Sequence, residues 1–135
     1  FMKDVYYGSH IDSTLVALKP GLLLANPARL SPDTIPSFLK QWEILFSPPM
    51  ENQDRYGAEY LEQAIGSEWI DMNLFSLGPD TVVVDRDQTA LIKLLESHQM
   101  EVVPLKLRHS RMMGGGFHCV TLDTRRRGKM ESYFD

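Results

Sequence analysis

Apolar residues in this chain come in short bursts separated by turn formers, and the bursts repeat. Thr14 to Leu18 runs into Lys19-Pro20-Gly21, and Leu22 to Ala25 follows at once. Asn73 to Leu77 runs into Gly78-Pro79-Asp80, and Val82 to Asp85 follows. Proline and glycine at these points are turn chemistry, so each pair predicts a β-hairpin. A shift of 59 positions lays one copy on the other. Ile11-Asp12 falls on Ile70-Asp71, Leu15 to Leu18 on Leu74 to Leu77, Pro20 on Pro79, and Asn26 on Asp85. After each hairpin the period changes. Ser31 as N-cap and Pro32 at the first helical position predict a helix to about Lys40, with Pro36 making its first turns irregular. From about Asp87 to His98, Leu91, Leu94 and Leu95 recur at helical spacing and form one buried stripe. Trp42 to Phe46 and Glu101 to Leu107 read as third strands. Each copy is a ββαβ module, and the fold class is α/β.

The modules span 10–50 and 69–108, with a polar loop at 51–68 between them. Tyr60 to Ile65 reads as a short helix within that loop. A third copy begins after Gly114-Gly115-Gly116, with Cys119 to Asp123 as its first strand, so 114–135 reads as a closing strand and tail. Repeats of this kind bury a shared core by stacking. Two modules and a stub leave strand edges open, and Met2 is not the first residue. Both points lead us to expect a fragment, an engineered piece, or one half of a split protein that pairs with an N-terminal half.

Composition narrows the function classes. The chain has 135 residues, 43% hydrophobic and 24% charged, as in a globular domain. Its net charge of −4 argues against a general nucleic-acid binder or an anionic-membrane binder. No apolar run nears the roughly 20 residues of a membrane helix, and the first residues have no apolar leader segment. A single cysteine, Cys119, rules out an internal disulfide and makes the reducing cytoplasm the expected compartment.

The repeat also places candidate chemistry. His10 and Asp12 open the first strand of copy one, Asp71 that of copy two, and Cys119 that of copy three. Around a common axis these positions converge, although His10 and Cys119 are 109 positions apart. A lone cysteine beside a histidine is a nucleophile–base pair, in which a nearby imidazolium favours the reactive thiolate. The glycines before Cys119 suit a backbone that passes close to a ligand or takes positive φ. Each residue also has a plainer reading: Cys119 as a small buried residue, His10 as a surface or core histidine, and Asp12 and Asp71 as turn or cap residues. His118 would point to the opposite strand face from Cys119. His98 and His109 read as surface residues. His109, His118 and Cys119 fit no common zinc spacing. Arg125 to Arg127 reads as a solvated turn or an ion-pairing site, and Trp42 and Trp69 as core or pocket wall.

The run Gly114-Gly115-Gly116-Phe117-His118-Cys119-Val120-Thr121 resembles the C-terminal catalytic signature of the amidinotransferases. Arg125-Arg126-Arg127-Gly128 through Ser132-Tyr133-Phe134-Asp135 resembles the C-terminus of the L-arginine:glycine enzymes of that family. His10 to Thr14, Pro20-Gly21-Leu22, Asn26-Pro27 with Arg29, and Trp69 with Met72-Asn73 agree in order and approximate spacing. The match is weakest from Met50 to Gly66. The resemblance implies a partial α/β propeller of the pentein type, about two modules plus a closing strand, from the C-terminal part of a longer protein.

The resemblance also assigns roles. Cys119 matches the nucleophile, His10 the general acid–base, Asp12 a guanidinium-binding carboxylate, Arg29 the holder of the substrate carboxylate, and Ser67 a serine at the amino-acid end. The family's preceding serine is Gly66 here, and Ser9 also departs from the vertebrate enzyme. The implied reaction carries the amidino group of L-arginine through an amidino-cysteine to an amine, with glycine as the simplest acceptor and ornithine as the product. Lysine, 4-aminobutyrate or an inosamine phosphate would use the same pair, and water would give the hydrolases of related penteins. No metal or organic cofactor is implied. The family's histidine-orienting aspartate would fall before Phe1, and loss of such a group costs about 10⁴ in rate in other triads, so the chain by itself is expected to be inactive, a non-catalytic fragment or split half that needs its N-terminal partner. The implied partners are therefore L-arginine, an amine acceptor and the upstream modules, with a homo-oligomer possible in principle and no nucleic acid or membrane.

Overall fold

A computed structural model of the chain describes residues 10–52 and 62–128. Six strands form two three-stranded sheets: β1 (Leu15–Lys19), β2 (Leu22–Ala25) and β3 (Glu43–Phe46), then β4 (Phe75–Ser76), β5 (Thr81–Asp85) and β6 (Glu101–Leu105). In each sheet the first two strands are antiparallel and the third lies parallel to the second. A tight turn suffices for the antiparallel pair, whereas the parallel strand needs a crossover. Gly21, at φ +81, makes the first of these turns possible.

The two crossovers differ. In the second sheet, helix α1 (Thr89–Ser97) returns the chain, with Leu91 and Leu95 buried beneath it. In the first, the helix expected from Ser31 to about Lys40 does not form. Residues 32–34 are turn and 35 is a bend, and only Ser37–Leu39 makes a 3₁₀ turn. Pro36 is the physical reason: it sits at φ −53, ψ 137, extended rather than helical, and has no N–H to continue a ladder. Ser31 still organises the start, since its carbonyl accepts from the N–H groups of Thr34 (3.0 Å) and Ile35 (3.2 Å).

Strand β2 is buried on both faces. Alternation sends Leu22 and Leu24 to the core shared with the second sheet, where they meet Leu45, Met72, Val82, Val84, Leu91 and Leu95. It sends Leu23 and Ala25 to a second cluster with Leu30, Ile35 and Leu39. The irregular crossover is therefore still a lid over an apolar face.

Two further links join the halves. Lys19 Nζ lies 3.4 Å from Asp80 and donates to the His98 carbonyl at 3.3 Å. Past β3, the Glu51 N–H donates to Gln88 Oε1 (2.8 Å), and Gln88 Nε2 donates back to the Glu51 carbonyl (3.0 Å). The Glu51 carboxylate accepts from the Ala90 N–H (2.8 Å) and the Thr89 hydroxyl (2.9 Å), capping α1 from a distant segment. These bonds, the Ala90 N–H foremost, hold the Glu51 carboxyl below its ordinary value. Of the short helix expected at 60–65, Tyr60 and Leu61 lie outside the described residues, and 62–65 is turn and irregular backbone.

The closing strand expected from Cys119 to Asp123 is not formed either. Helix α2 (Ser110–Met113) ends at Gly114 in the left-handed conformation (φ 68), and residues 117–120 are turn. A strand needs a partner edge, and this segment satisfies itself locally. The Thr121 hydroxyl donates to the Phe117 carbonyl (2.9 Å), and the Val120 N–H donates to the Gly116 carbonyl (3.3 Å).

Candidate active site

Each sheet is entered through a 3₁₀ turn, Ile11–Ser13 before β1 and Ile70–Met72 before β4. These are the segments that the 59-residue shift superimposes, and they carry Asp12 and Asp71. Asp12 is partly exposed, with 21% of its side chain accessible. Its Oδ2 accepts from Asn73 Nδ2 at 2.5 Å, and His118 Nδ1 lies 3.3 Å away.

Asn73, only 1% exposed, follows the second 3₁₀ turn. Its Oδ1 accepts the Cys119 N–H at 3.0 Å, and its backbone carbonyl accepts the His118 N–H at 3.2 Å. The glycines before Cys119 permit this approach. A Cβ on Gly116 would lie 2.5 Å from the Asn73 carbonyl oxygen, and one on Gly115 would lie 2.9 Å from Cys119 Cβ.

Arg29 is fixed by the turn after β2. Asn26 Nδ2 donates to the Ser13 carbonyl (2.8 Å), and Asn26 Oδ1 accepts from the Ala28 N–H (2.9 Å). Arg29 Nη1 then donates to Thr14 Oγ1 (2.7 Å) and Ser13 Oγ (3.0 Å). Ser67 Oγ accepts from the Trp69 N–H (3.1 Å). At Gly66, the N–H donates to the Arg111 carbonyl (2.8 Å) and the carbonyl accepts from Arg111 Nη1 (2.5 Å). A Cβ there would meet the Arg111 carbonyl at 2.8 Å, so a serine would not fit without rearrangement.

The five residues to which the resemblance assigns roles line one open, mostly polar cavity of about 200 Å³: His10, Asp12, Arg29, Ser67 and Cys119; Asp71, which the repeat placed at the same point, is not among them. Ser13, Gly66 and Asn73 line it too. Asn73 was not assigned a role from the sequence. Its position directly after the repeated Ile-Asp turn was the available signal. Cys119 is an exposed free thiol rather than a buried filler. His118 lines a separate, larger cavity beside Asp12, away from the thiol. Among the described residues, no three His, Cys, Asp or Glu side chains are grouped to hold a metal ion, and no helix is long and apolar enough to cross a membrane. Arg126 pairs with Asp123 (2.7 Å) and donates to the Ser76 carbonyl (2.6 Å), so this member of the basic tail is an ion-pairing residue.

Asp71 takes no part in the cavity around Cys119. It is 8% exposed, and neither carboxylate oxygen makes a hydrogen bond of normal geometry. Burial pushes its carboxyl up to about 7, against a smaller pull from the backbone N–H groups of Asp71 and Met72. The Asp85 and Glu51 carboxylates add to the rise.

An exposed thiol, a histidine and a hydrogen-bonded carboxylate thus face one cavity on an α/β scaffold. No protein-family model matches the chain. Its homologues, at 35–48% identity over most of its length, are amidinotransferases, and it matches their C-terminal part. Inosamine-phosphate amidinotransferase 1 of Streptomyces glaucescens is 48% identical over 131 residues, which is 97% of this chain and 36% of that protein. Mitochondrial glycine amidinotransferase of Gallus gallus is 37% identical over 128 residues, 93% of this chain and 29% of that protein. The solved structure of an inosamine-phosphate amidinotransferase from Streptomyces griseus superimposes with a TM-score of 0.89 at 48% identity, covering 99% of this chain and 37% of that one. The chain thus spans about a third of the length of the curated relatives it matches.

Proposed function

We propose that this chain carries the nucleophile-bearing part of an amidinotransferase site. One observation carries the reading: five residues chosen from the sequence, drawn from both ends of the described chain, line a single cavity. Cys119 thiolate adds to the guanidinium carbon of L-arginine, held by Asp12 through charge-assisted hydrogen bonds. The bond from that carbon to the ornithine nitrogen breaks, and His10 protonates the leaving amine. An amidino-Cys119 remains. The acceptor amine then attacks, His10 takes its proton, and the thiolate departs. Arg29 and Ser67 hold the amino-acid end of the substrate. The cycle needs no oxidant and is ping-pong.

The acceptor is a small amine. Glycine is the simplest, but the higher identity to inosamine-phosphate enzymes than to a glycine enzyme supports an aminocyclitol phosphate instead. The two sheets are read as modules 10–50 and 69–108 of a five-module propeller, with 114–135 completing the site. The remaining modules supply the histidine-orienting aspartate. The span of about a third of the relatives supports this need for further modules. The alternative of a guanidine hydrolase is separated by its product.

The test is incubation of the protein, together with those modules, with L-arginine and each acceptor, using Cys119→Ser as the control. Cys119-dependent ornithine and an adduct on Cys119 are expected. Citrulline in place of ornithine would replace transfer by hydrolysis.

A further inference from the structure

The Asn73 side chain is almost wholly buried, yet both ends of its amide are used at the cavity. The Nδ2 end donates to the Asp12 carboxylate, and the Oδ1 end accepts the N–H of Cys119. The orientation is unambiguous: a carboxylate accepts and a backbone N–H only donates, so one end must be NH₂ and the other oxygen. Among residues of this size only asparagine offers both. Its backbone joins in, since the Asn73 carbonyl accepts the His118 N–H. Gly116 is pressed so closely against Asn73 that a Cβ would lie 2.5–2.8 Å from its carbonyl oxygen, Cβ and Oδ1.

We infer that Asn73 is a positioning residue that sets the Cys119 sulfur against the Asp12 carboxylate, and so fixes where a guanidinium carbon sits relative to the nucleophile. The inference rests on the amidino-transfer reading for what the geometry serves. Its physical content is that one rigid amide holds two groups that neither neighbouring loop holds alone. Cys119 lies in a turn without a strand partner, and Asp12 lies on a three-residue 3₁₀ turn with little register of its own. Small displacements at such a pair carry large rate penalties, because reaction depends on near-contact alignment.

The chain's single cysteine reports on this directly. Alkylation of Cys119 by iodoacetamide is followed across pH in the wild type, Asn73→Leu and Asn73→Asp, with urea midpoints as the folding control. Asn73→Leu removes both bonds and is expected to change the alkylation rate about tenfold. Asn73→Asp keeps an oxygen for the Cys119 N–H but sets a second carboxylate against Asp12 in place of the donor, so it too is expected to depart from the wild type, by about fivefold or more. A folded Asn73→Leu that alkylates like the wild type overturns the inference, as does a folded Asn73→Asp that does so despite losing the bond to Asp12. Should Asn73→Leu fail to fold, hydrogen exchange at the Cys119 amide of the wild type decides. Slowing by about 100-fold supports the bond, and free exchange overturns it. Protection of Cys119 by L-arginine is run alongside, with the remaining modules present. Protection in the wild type that is lost in Asn73→Leu supports the link to Asp12, and equal protection in both overturns it. A wild type left unprotected strikes the amidino-transfer reading itself, while alkylation and exchange still judge the bond from Asn73 to Cys119.

Discussion

The turns Ile11–Ser13 and Ile70–Met72 are the same local structure written twice, and each presents an aspartate just before its sheet. Asp12 opens onto the cavity with Cys119 and is held by a side-chain donor. Asp71 is buried beside a cavity of only about 10 Å³, lined also by Met50, Asp85 and Phe117; no donor of normal geometry meets its oxygens, and burial raises its pKa to about 7. Chain conformation is thus not what distinguishes them. A carboxylate becomes useful when a donor orients it and a cavity large enough for a substrate faces it. The same group without either is a burden on stability at neutral pH.

The sharpest way to break this contrast is to neutralise each carboxylate. Asp12→Asn is expected to lower amidino transfer on the order of 10³-fold, since a charge-assisted contact to the reacting group is lost. Asp71→Asn should leave the rate within about tenfold of wild type. Comparable losses in steady-state assays would erase the distinction.

Stability should show the opposite order. The folded-state pKa of Asp71 is raised, so folding gains from its proton at low pH, and that gain is lost as pH climbs through about 7. Relative to the wild type, Asp71→Asn should become more stable between pH 5 and 8, by roughly 2 to 3 kcal/mol. Urea midpoints at the two pH values measure this, and an unchanged difference would mean that the carboxylate is hydrated after all.

A third variant sharpens the role of the cavity's support. Gly116→Ala drives a methyl into Asn73 and should destabilise by about 2 kcal/mol, whereas Gly78→Ala, with open space around it, should stay near neutral. Thermal melts of the pair compare them. The smallest effect concerns the crossovers. Glu51→Gln weakens the cap on α1 and should lower stability by about 1 kcal/mol at pH 7. Because the Glu51 pKa is lowered, this contribution is present above the unfolded-state pKa and fades as pH falls through the folded one. The gap between variant and wild type should therefore close in acid denaturation curves.

Much of this arrangement was legible in the chain. The hairpins of both sheets and the helix over Leu91 and Leu95 follow from period and turn chemistry, because those segments bury the faces that their patterns define. The first crossover was misread because the Ser31-Pro32 start signal outweighed Pro36, whose missing donor proved decisive. The strand at Cys119 to Asp123 was misread because extended-looking sequence does not supply a partner edge. Candidate site residues could be named because cysteine, histidine and arginine carry visible chemistry. Asn73 could not, since its importance lies in two hydrogen bonds to residues far away in sequence, and amides of this kind are common in turns.

Those two bonds span 61 and 46 residues. Contacts between such remote segments form only after loop-closure entropy has been overcome, so they belong to the late stages of folding. The cradle around the thiol therefore does not exist in a nascent or half-folded chain. A sulfur that is an ordinary cysteine while the polypeptide is being made acquires its setting only when both sheets have docked, which ties chemical competence to structural maturity.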